Sequence, residues 1–217
     1  MRITVFGATG DVGGRVVAEA LSRGHRVTAV SRDPNRLREL PSEVEARAGD
    51  ATDPEQIADA GVGSDVVISA TRPRPGQEYE LAVVAETLLA GLARTGVRLL
   101  VVGGAGSLIV PGTGRTLIEQ PDFPDEVKAI ALACDAQLDA FRATAAQPGG
   151  GPVDWAYLSP PALLEPGERL GTYRLGGDEL LTDAEGVSFV SMEDLAVALL
   201  DEAERPKHHR TRFTVAY

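Results

Sequence analysis

A chain of 217 residues with 43% hydrophobic residues is long enough for one large domain with a substantial core. Its formal net charge of −11 argues against general binding to nucleic acids or anionic membranes, because phosphate groups repel an acidic surface. No apolar run approaches the ~18 residues of a membrane span, and the first residues predict no signal peptide. Cys134 is the single cysteine, which excludes an internal disulfide. From these observations we expect a cytoplasmic protein.

The first predicted elements are a strand, a glycine-rich turn and a helix. The apolar run 3–6 leads directly to Gly7, Gly10 and Gly13, and residues 14–21 have helical spacing. This arrangement binds dinucleotides, because the free amides at a helix N-terminus attract a pyrophosphate. Gly7 would allow the tight turn, Gly10 the approach of the phosphates, and Gly13 the packing of helix on strand. The alternative is a strand–turn–helix unit without a ligand.

The second predicted strand, residues 25–30, ends at Ser31 and Arg32. A site specific for NAD would have an acidic residue here, bonded to the ribose 2′-hydroxyl. Serine followed by arginine instead suits the 2′-phosphate of NADP, whose oxygens pair with a guanidinium, and Arg36 and Arg38 are close in sequence. The alternative is that these arginines are solvated loop residues. We predict that NADPH is preferred over NADH.

The third and fourth predicted strands are residues 44–48 and 65–70. Asp50 follows the third strand and either accepts a bond from the adenine amino group or forms the turn. The fourth strand is continuously apolar, which is typical of a strand buried on both faces. After it, Arg72 and Arg74 either hold an anionic group or are solvated.

Helices are predicted between the strands from their caps and their apolar spacing. Asp53 suits the N-cap of one helix. A second pattern covers residues 77–94, and Gly96 ends it. Ser191 suits the N-cap of a helix that runs to about Glu204.

The fifth and sixth predicted strands are residues 98–102 and 153–158, and a final edge strand covers residues 212–216. A glycine-rich loop after the fifth strand clears space at the carboxyl edge and leads to Ser107. Ser107 either donates a hydrogen bond to a substrate or to the nicotinamide amide, or it is an ordinary turn serine. Residues 160–190 are turn-rich and predict a small substrate-side lobe with short strands.

These segments together resemble the atypical short-chain dehydrogenase/reductases of the NmrA-like, NAD(P)H-binding group, close to NADH-flavin reductases and biliverdin reductase B. The segments that carry the resemblance are 7–13, 31–32, 49–50, 70–71, 101–108, 154–161, 166–169 and 191–196. The resemblance implies one NAD(P)-binding domain over residues 1–217, with a doubly wound, mostly parallel Rossmann sheet and the lobe at 160–190.

The resemblance also assigns residues to the parts of a bound NADP. The pyrophosphate turn takes Gly7, Ala8, Thr9, Gly10, Asp11 and Val12; Ser31 and Arg32 take the 2′-phosphate; Asp50 and Ala51 flank adenine; Ala70, Thr71 and Arg72 line the ribose and diphosphate; and Gly103 and Pro160 lie beside the nicotinamide. Asp11 departs from the pattern of the family, because it puts a carboxylate near the phosphates, where a neutral side chain is more favourable. Its alternative role is to cap the helix through its side chain.

The standard short-chain reductases use Tyr-x-x-x-Lys, in which lysine lowers the pKa of the tyrosine for acid–base work. Here Pro124 stands four residues before Lys128, and no tyrosine precedes a lysine at that spacing. Acid–base chemistry by a tyrosine is therefore not supported. Lys128 either reaches the cofactor or is a surface lysine.

Direct hydride transfer to an acceptor that water can protonate remains feasible, and flavins, quinones and similar conjugated molecules qualify. Ser107 is the candidate hydrogen-bond donor. We expect a small-molecule acceptor, no nucleic-acid or membrane partner, and a monomer or homodimer. The alternatives are a non-catalytic redox sensor that binds NADP, or an epimerase or dehydratase of the sugar-nucleotide type.

Other chemistries have little support in the sequence. His208 and His209 are adjacent and so point apart, and no cluster of residues has the spacing of metal ligands. Cys134 lies in an alanine-rich helical stretch and is interpreted as a buried structural thiol rather than a nucleophile.

Overall fold

A computed structural model describes every residue from Met1 to Tyr217. The strands are β1 (Arg2–Phe6), β2 (Arg26–Ser31), β3 (Glu45–Ala48), β4 (Val66–Ser69), β5 (Arg98–Val102), β6 (Trp155–Ser159), β7 (Leu163–Glu165), β8 (Arg174–Gly176), β9 (Phe189–Ser191) and β10 (Thr211–Ala216). The helices are α1 (Asp11–Ser22), α2 (Pro34–Leu37), α3 (Pro54–Gly61), α4 (Glu80–Leu92), α5 (Asp125–Ala145) and α6 (Met192–Glu204), with 3₁₀ turns at Leu117–Glu119 and Pro148–Gly150.

Eight strands form one sheet in the order β3-β2-β1-β4-β5-β6-β10-β8. Every neighbouring pair is parallel except β10 and β8, which are antiparallel. β7 and β9 pair in parallel as a separate two-stranded sheet. The predicted doubly wound, mostly parallel sheet is therefore confirmed.

Helices cover both faces of this sheet, so that it separates two apolar cores. On one face Val16 and Val17 of α1 and Leu199 of α6 belong to the first core. On the other, Leu88 of α4 and Phe141 of α5 belong to the second, together with side chains of α3. This explains why β4 and β6 are buried along their whole length and are apolar on both faces. None of the helices combines the length and the apolar character that a membrane crossing requires.

The caps that begin two of the helices lie where the sequence predicts them. The Asp53 carboxylate accepts from the amides of Glu55 and Gln56 at the start of α3. The Ser191 hydroxyl oxygen accepts from the amide of Asp194 in α6. These side chains satisfy amides that otherwise lack a partner at a helix N-terminus.

The segment 160–190 is tied into the main sheet more closely than the word lobe implies, because β8 adds to the sheet beside β10. After β8 the chain reaches the loop that follows β5. Ile109 donates its amide to the carbonyl of Asp178, and its own carbonyl accepts from the amide of Leu180, both at 2.9 Å. The segment therefore lies against the Ser107 turn.

Candidate functional site

The segments predicted to hold a cofactor come together at the carboxyl edge of the sheet. Gly7, Arg32, Ala70 and Gly103 directly follow β1, β2, β4 and β5, and Asp50 lies just beyond β3. These strands are parallel neighbours, so all their carboxyl ends open on the same side. The strand order changes direction between β1 and β4, which is where open α/β sheets bind ligands.

The glycine turn between β1 and α1 has no room for side chains. Gly7 has φ +74°, and a Cβ there would lie 2.4 Å from the carbonyl oxygen of Ala70. A Cβ on Gly13 would lie 2.1 Å from the carbonyl oxygen of Gly7, the residue directly after β1, so there is no room for a side chain where α1 approaches the end of that strand. The amides of Gly7 and Ala8 both donate to the carbonyl of Val30, which fixes the turn to β2.

The N-terminus of α1 is open to an anion. Its N-cap is Gly10, which has no side chain to accept from the first amides, and no side-chain cap is present. Asp11 is the first residue of the helix and does not cap it, so that sequence-based explanation of its carboxylate is wrong. The unpartnered amides and the close-packed glycines form a cradle that fits the pyrophosphate of a dinucleotide.

The end of β2 joins this cradle through polar contacts. The Ser31 and Thr9 hydroxyls lie 3.1 Å apart, and a guanidinium nitrogen of Arg36 donates to the carbonyl of Thr9. Arg32 is exposed, and its Nη1 lies 3.3 Å from a carboxylate oxygen of Glu80 in α4. The Arg36 guanidinium thus contacts the glycine turn, while that of Arg32 is paired with a carboxylate.

Asp50 has the turn-forming role that the sequence left open. Its Oδ1 accepts from both the amide and the hydroxyl of Thr52, at 2.9 Å each, while its own amide donates to Gln56. Its second carboxylate oxygen makes no hydrogen bond, so the predicted contact with adenine stays a prediction. Ala51 is buried, and its carbonyl accepts from the Thr87 hydroxyl at 2.6 Å.

The ends of β4 and β6 also reach this edge. The Thr71 hydroxyl lies 3.2 Å from that of Ser69, and Arg72 is exposed without a side-chain partner. Pro160 is buried directly after β6. The hydroxyl of the preceding Ser159 is buried and has no hydrogen-bond partner. The assignment of Arg72 and Pro160 to the cofactor stays a prediction.

The structure gives Gly103 a packing reason that the sequence did not reveal. A Cβ on Gly103 would lie 1.9 Å from a ring carbon of Tyr157. The Tyr157 hydroxyl lies 3.0 Å from the carbonyl oxygen of Cys134 and 3.2 Å from the amide oxygen of Gln137, and these two acceptors share its one hydrogen. Burial raises the pKa of Tyr157 well above its ordinary value, so this tyrosine is no acid or base near neutral pH.

The turn after β5 brings Ser107 to a group of charged side chains that sequence reasoning missed. Arg212 of β10 donates from Nη1 to the Ser107 hydroxyl oxygen at 3.0 Å, and its Nε and Nη2 donate to a carboxylate oxygen of Asp178. Asp135 of α5 approaches from another side, since a Cβ on Gly106 would lie 3.3 Å from its Oδ2. The sequence signal that could have identified Arg212 is a charged residue inside an otherwise apolar strand.

Burial raises the pKa of Asp135 above its ordinary value. The Ser107 hydroxyl and amide oppose this shift by hydrogen bonding, and the nearby charge of Asp139 adds to it. The Ser107 hydroxyl therefore accepts from a buried guanidinium, and a carboxyl group with a raised pKa lies beside the neighbouring Gly106.

A cavity of about 470 Å³ lies beside this turn, between the first turns of α5 and the loop that precedes it. Backbone bonds from Leu117 to the carbonyl of Leu108 and from Ile118 to that of Gly106 hold the loop against the Ser107 turn. The volume is in the range of small-molecule sites. Its lining includes Arg115, Ile118, Phe123, Lys128 and Leu132. Lys128 thus lies in this cavity.

Cys134 is a free thiol whose surroundings do not favour the nucleophilic thiolate form. Burial raises its pKa to about 12, so the reactive thiolate is scarce near neutral pH. Its side chain packs on Gly104, where a Cβ would lie 2.7 Å from the Cys134 Cβ. The structure contains no group of three or more His, Cys, Asp and Glu side chains that could hold a metal ion.

Comparison with known proteins agrees with this geometry. A sequence model of the NAD(P)H-binding family matches residues 7–206. YwnB, an uncharacterized protein of Bacillus subtilis, is 37% identical over 219 aligned residues, which cover 99% of this chain and 98% of YwnB.

Two solved structures, both described as putative, are similar along the whole chain. An exported protein from Burkholderia pseudomallei is 41% identical with a TM-score of 0.87, and each chain is covered completely. An NADH-flavin reductase from Streptococcus pneumoniae is 33% identical with a TM-score of 0.84, over 100% of this chain and 99% of that one. The family model and these relatives agree with the resemblance that the sequence motifs indicated, and the chain belongs to the NAD(P)H-binding family.

Proposed function

We propose that the protein is an NADPH-dependent reductase that delivers hydride to a flavin, a quinone or a similar conjugated acceptor. The observation that carries this proposal is the glycine cradle at the N-terminus of α1, at the carboxyl edge of the parallel sheet. Family membership supports a nicotinamide cofactor and an oxidoreductase. The name of the Streptococcus pneumoniae relative favours a flavin as acceptor.

The residues at the carboxyl edge fit the parts of the cofactor in order. The α1 amides would hold the pyrophosphate, Arg32 and Arg36 the 2′-phosphate, and Gly103 the region of the nicotinamide. When bound, a reduced nicotinamide supplies the hydride, and the protein supplies orientation and exclusion of water. The Ser107 hydroxyl is the side chain that would meet the acceptor.

The absence of Tyr-x-x-x-Lys favours conjugated acceptors over alcohols or sugar epimers. Tyr157 is buried and bonded to α5, and Lys128 lies in the cavity without a tyrosine beside it. A conjugated ring that accepts hydride leaves a basic heteroatom, which a hydroxyl or water can protonate. Cys134 is an unpaired thiol, which fits our proposal that this reductase works in the reducing cytoplasm.

The test is steady-state oxidation of NADPH with FMN, riboflavin and a set of quinones. We expect turnover with at least one of them, and loss of nucleotide binding in Gly13→Val, whose side chain would enter the turn. Gly177→Val is the matched control, because no atom lies within 4 Å of a Cβ there. Tight binding of NADP with no turnover of any acceptor would contradict the reductase and favour a redox sensor.

A further inference from the structure

We propose, building on the reductase function above, that the cavity between α5 and the loop before it binds a phosphate arm of the acceptor. Arg115 and Lys128 would hold the phosphate, while the conjugated ring lies nearer to Gly103. Among flavins the protein would therefore prefer FMN to riboflavin, which has the same ring without the phosphate. This narrows the conjugated acceptors to an anionic class.

The first support is the pair of cations that line the cavity. Most arginines of this acidic chain are paired with carboxylates, as Arg142 and Arg212 are with Asp178. Arg115 and Lys128 are exposed and form no ion pair. An arginine offers a planar fork of donors to a phosphate, and a lysine offers a compact charge, so the two together suit this anion.

The second support is the state of the carboxylates in the same cavity. Glu119 is engaged within its own loop, since one carboxylate oxygen accepts from both the amide and the hydroxyl of Thr116 at 2.8 Å. Asp125, the first residue of α5, is the other carboxylate that lines the cavity. Asp125 opposes an anion there, so its replacement by asparagine should strengthen phosphate binding.

The third support is the apolar surface beside the cations. Leu132 is 55% exposed, and Ile118 and Phe123 line the cavity with it. Apolar side chains next to two unpaired cations fit a ligand that joins an apolar part to an anionic end. A free phosphate ion would use the cations and leave this apolar surface in water.

The cavity is placed where an arm can reach it from the end of β5. Since β5 and β6 are parallel, α5 between them runs from the carboxyl edge of the sheet back to its amino edge. Cys134 packs on Gly104, just after β5. Lys128 precedes Cys134 by six residues, so at 1.5 Å per residue it lies about 9 Å further out along the helix. The ribityl chain of FMN separates its phosphate from its ring by a comparable distance.

The first experiment compares FMN with riboflavin at saturating NADPH. We expect kcat/KM to be about 10-fold higher for FMN, mainly through a lower KM, because the rings are identical and only FMN carries the phosphate. Added salt should shrink this preference, since the two cations are exposed. Equal kcat/KM values for the two flavins would overturn the proposal.

Variants of the cavity make the test specific to these residues. Arg115→Met and Lys128→Met should each lower kcat/KM for FMN by about 3- to 5-fold and leave riboflavin nearly unchanged, and the double variant should use both flavins alike. Asp125→Asn should raise kcat/KM for FMN by a few-fold. Lys207→Met is the matched control, because it removes an exposed positive charge beyond the end of α6 and should change neither flavin.

Binding without turnover separates this site from the reductase. With NADP⁺ present, quenching of flavin fluorescence measures the affinities for FMN and riboflavin directly. If the wild type reduces flavins but binds FMN no better than the double variant does, the phosphate site is wrong and the reductase stands. If the wild type binds FMN through Arg115 and Lys128 but reduces no acceptor, the phosphate site stands and the proposed function fails.

Discussion

At the scale of single residues, we propose that the preference for NADPH over NADH depends on Arg32. Its guanidinium pairs with Glu80 at 3.3 Å, in an exposed contact of the kind that contributes little to stability. A 2′-phosphate offers more negative charge and more acceptor oxygens than one carboxylate. It would therefore displace Glu80, and Glu80 competes for the same arginine.

We expect Arg32→Ala to weaken the binding of NADPH by about 10- to 100-fold, or ~1.5–3 kcal/mol for a lost charge-assisted hydrogen bond. The affinity for NADH should change little. Glu80→Gln should have the opposite effect and raise the affinity for NADPH by a few-fold, because the carboxylate that competes for Arg32 is gone. Calorimetric titration with both nucleotides measures each effect. Equal losses for NADPH and NADH in Arg32→Ala would reject the assigned preference.

Some of these residues could be found from the sequence, and others could not. Arg32 stands at the end of a strand beside the glycine turn, so its place follows from local pattern alone. Arg212 reaches Ser107, and Asp135 reaches the neighbouring Gly106, only through the packing of β10 and α5 against the β5 loop. No local sequence rule predicts which charged side chain Asp178 will pair with, so these contacts could be identified only from the three-dimensional structure.

At the scale of secondary-structure elements, β5 and β6 fit together because of Gly103. The Tyr157 ring from β6 occupies the space where any larger residue at position 103 would place its Cβ, 1.9 Å from a ring carbon. The ring is also fixed from α5 through Cys134 and Gln137, so it cannot move aside cheaply.

We predict that Gly103→Ala lowers the free energy of unfolding by about 1–3 kcal/mol, as overpacking of a core does. Gly177→Ala is the control and should change it little, since nothing lies within 4 Å of the added atom. Urea denaturation measures both. Adding Tyr157→Phe should not rescue Gly103→Ala, because the clashing ring carbon remains; a full rescue would show that the hydroxyl alone caused the conflict.

The elements that the sequence predicts best are those with local signals. The starts of α3 and α6 follow from the caps Asp53 and Ser191, and the buried strands follow from their apolar runs. Strand β7 has three residues, at most half-buried, and was not predicted. Such a strand exists only because β9 is beside it, so its signal lies in the partner rather than in its own residues.

At the scale of the whole molecule, a buried ion network ties the amino end of the sheet to α6, opposite the cofactor edge. The Glu202 side chain of α6 is 4% exposed, and its carboxylate accepts a hydrogen bond from the guanidinium of Arg98 in β5 at 2.7 Å. The same carboxylate accepts hydrogen bonds from the backbone amides of Lys207 and His208, both at 2.9 Å. Its other oxygen lies 2.8 Å from Nδ1 of the His208 ring. One carboxylate thus joins a central strand, a helix and the entry to β10.

This network makes stability depend on pH. Burial raises the pKa of Glu202, but the hydrogen bonds from Arg98, His208 and Lys207 outweigh it and bring the pKa below the ordinary value of 4.5. A carboxyl group with a lowered folded-state pKa stabilises the fold fully above its ordinary value, and this contribution is lost as pH falls through the folded-state pKa. The free energy of unfolding should therefore fall on acidification below about 4.5.

Glu202→Gln tests this at both ends of the range. At neutral pH we expect a loss of about 1.5–3 kcal/mol, because the amide removes one of the two carboxylates that pair with the Arg98 guanidinium, and Asp154 is the other. At about pH 3 the difference from the wild type should narrow, because below about 4.5 the unfolded wild-type chain binds a proton on Glu202 that the folded state resists. Urea denaturation at the two pH values measures it, with the exposed Glu185→Gln as control. A loss of equal size at both values would mean that packing, and not the charge of Glu202, holds α6 to the sheet.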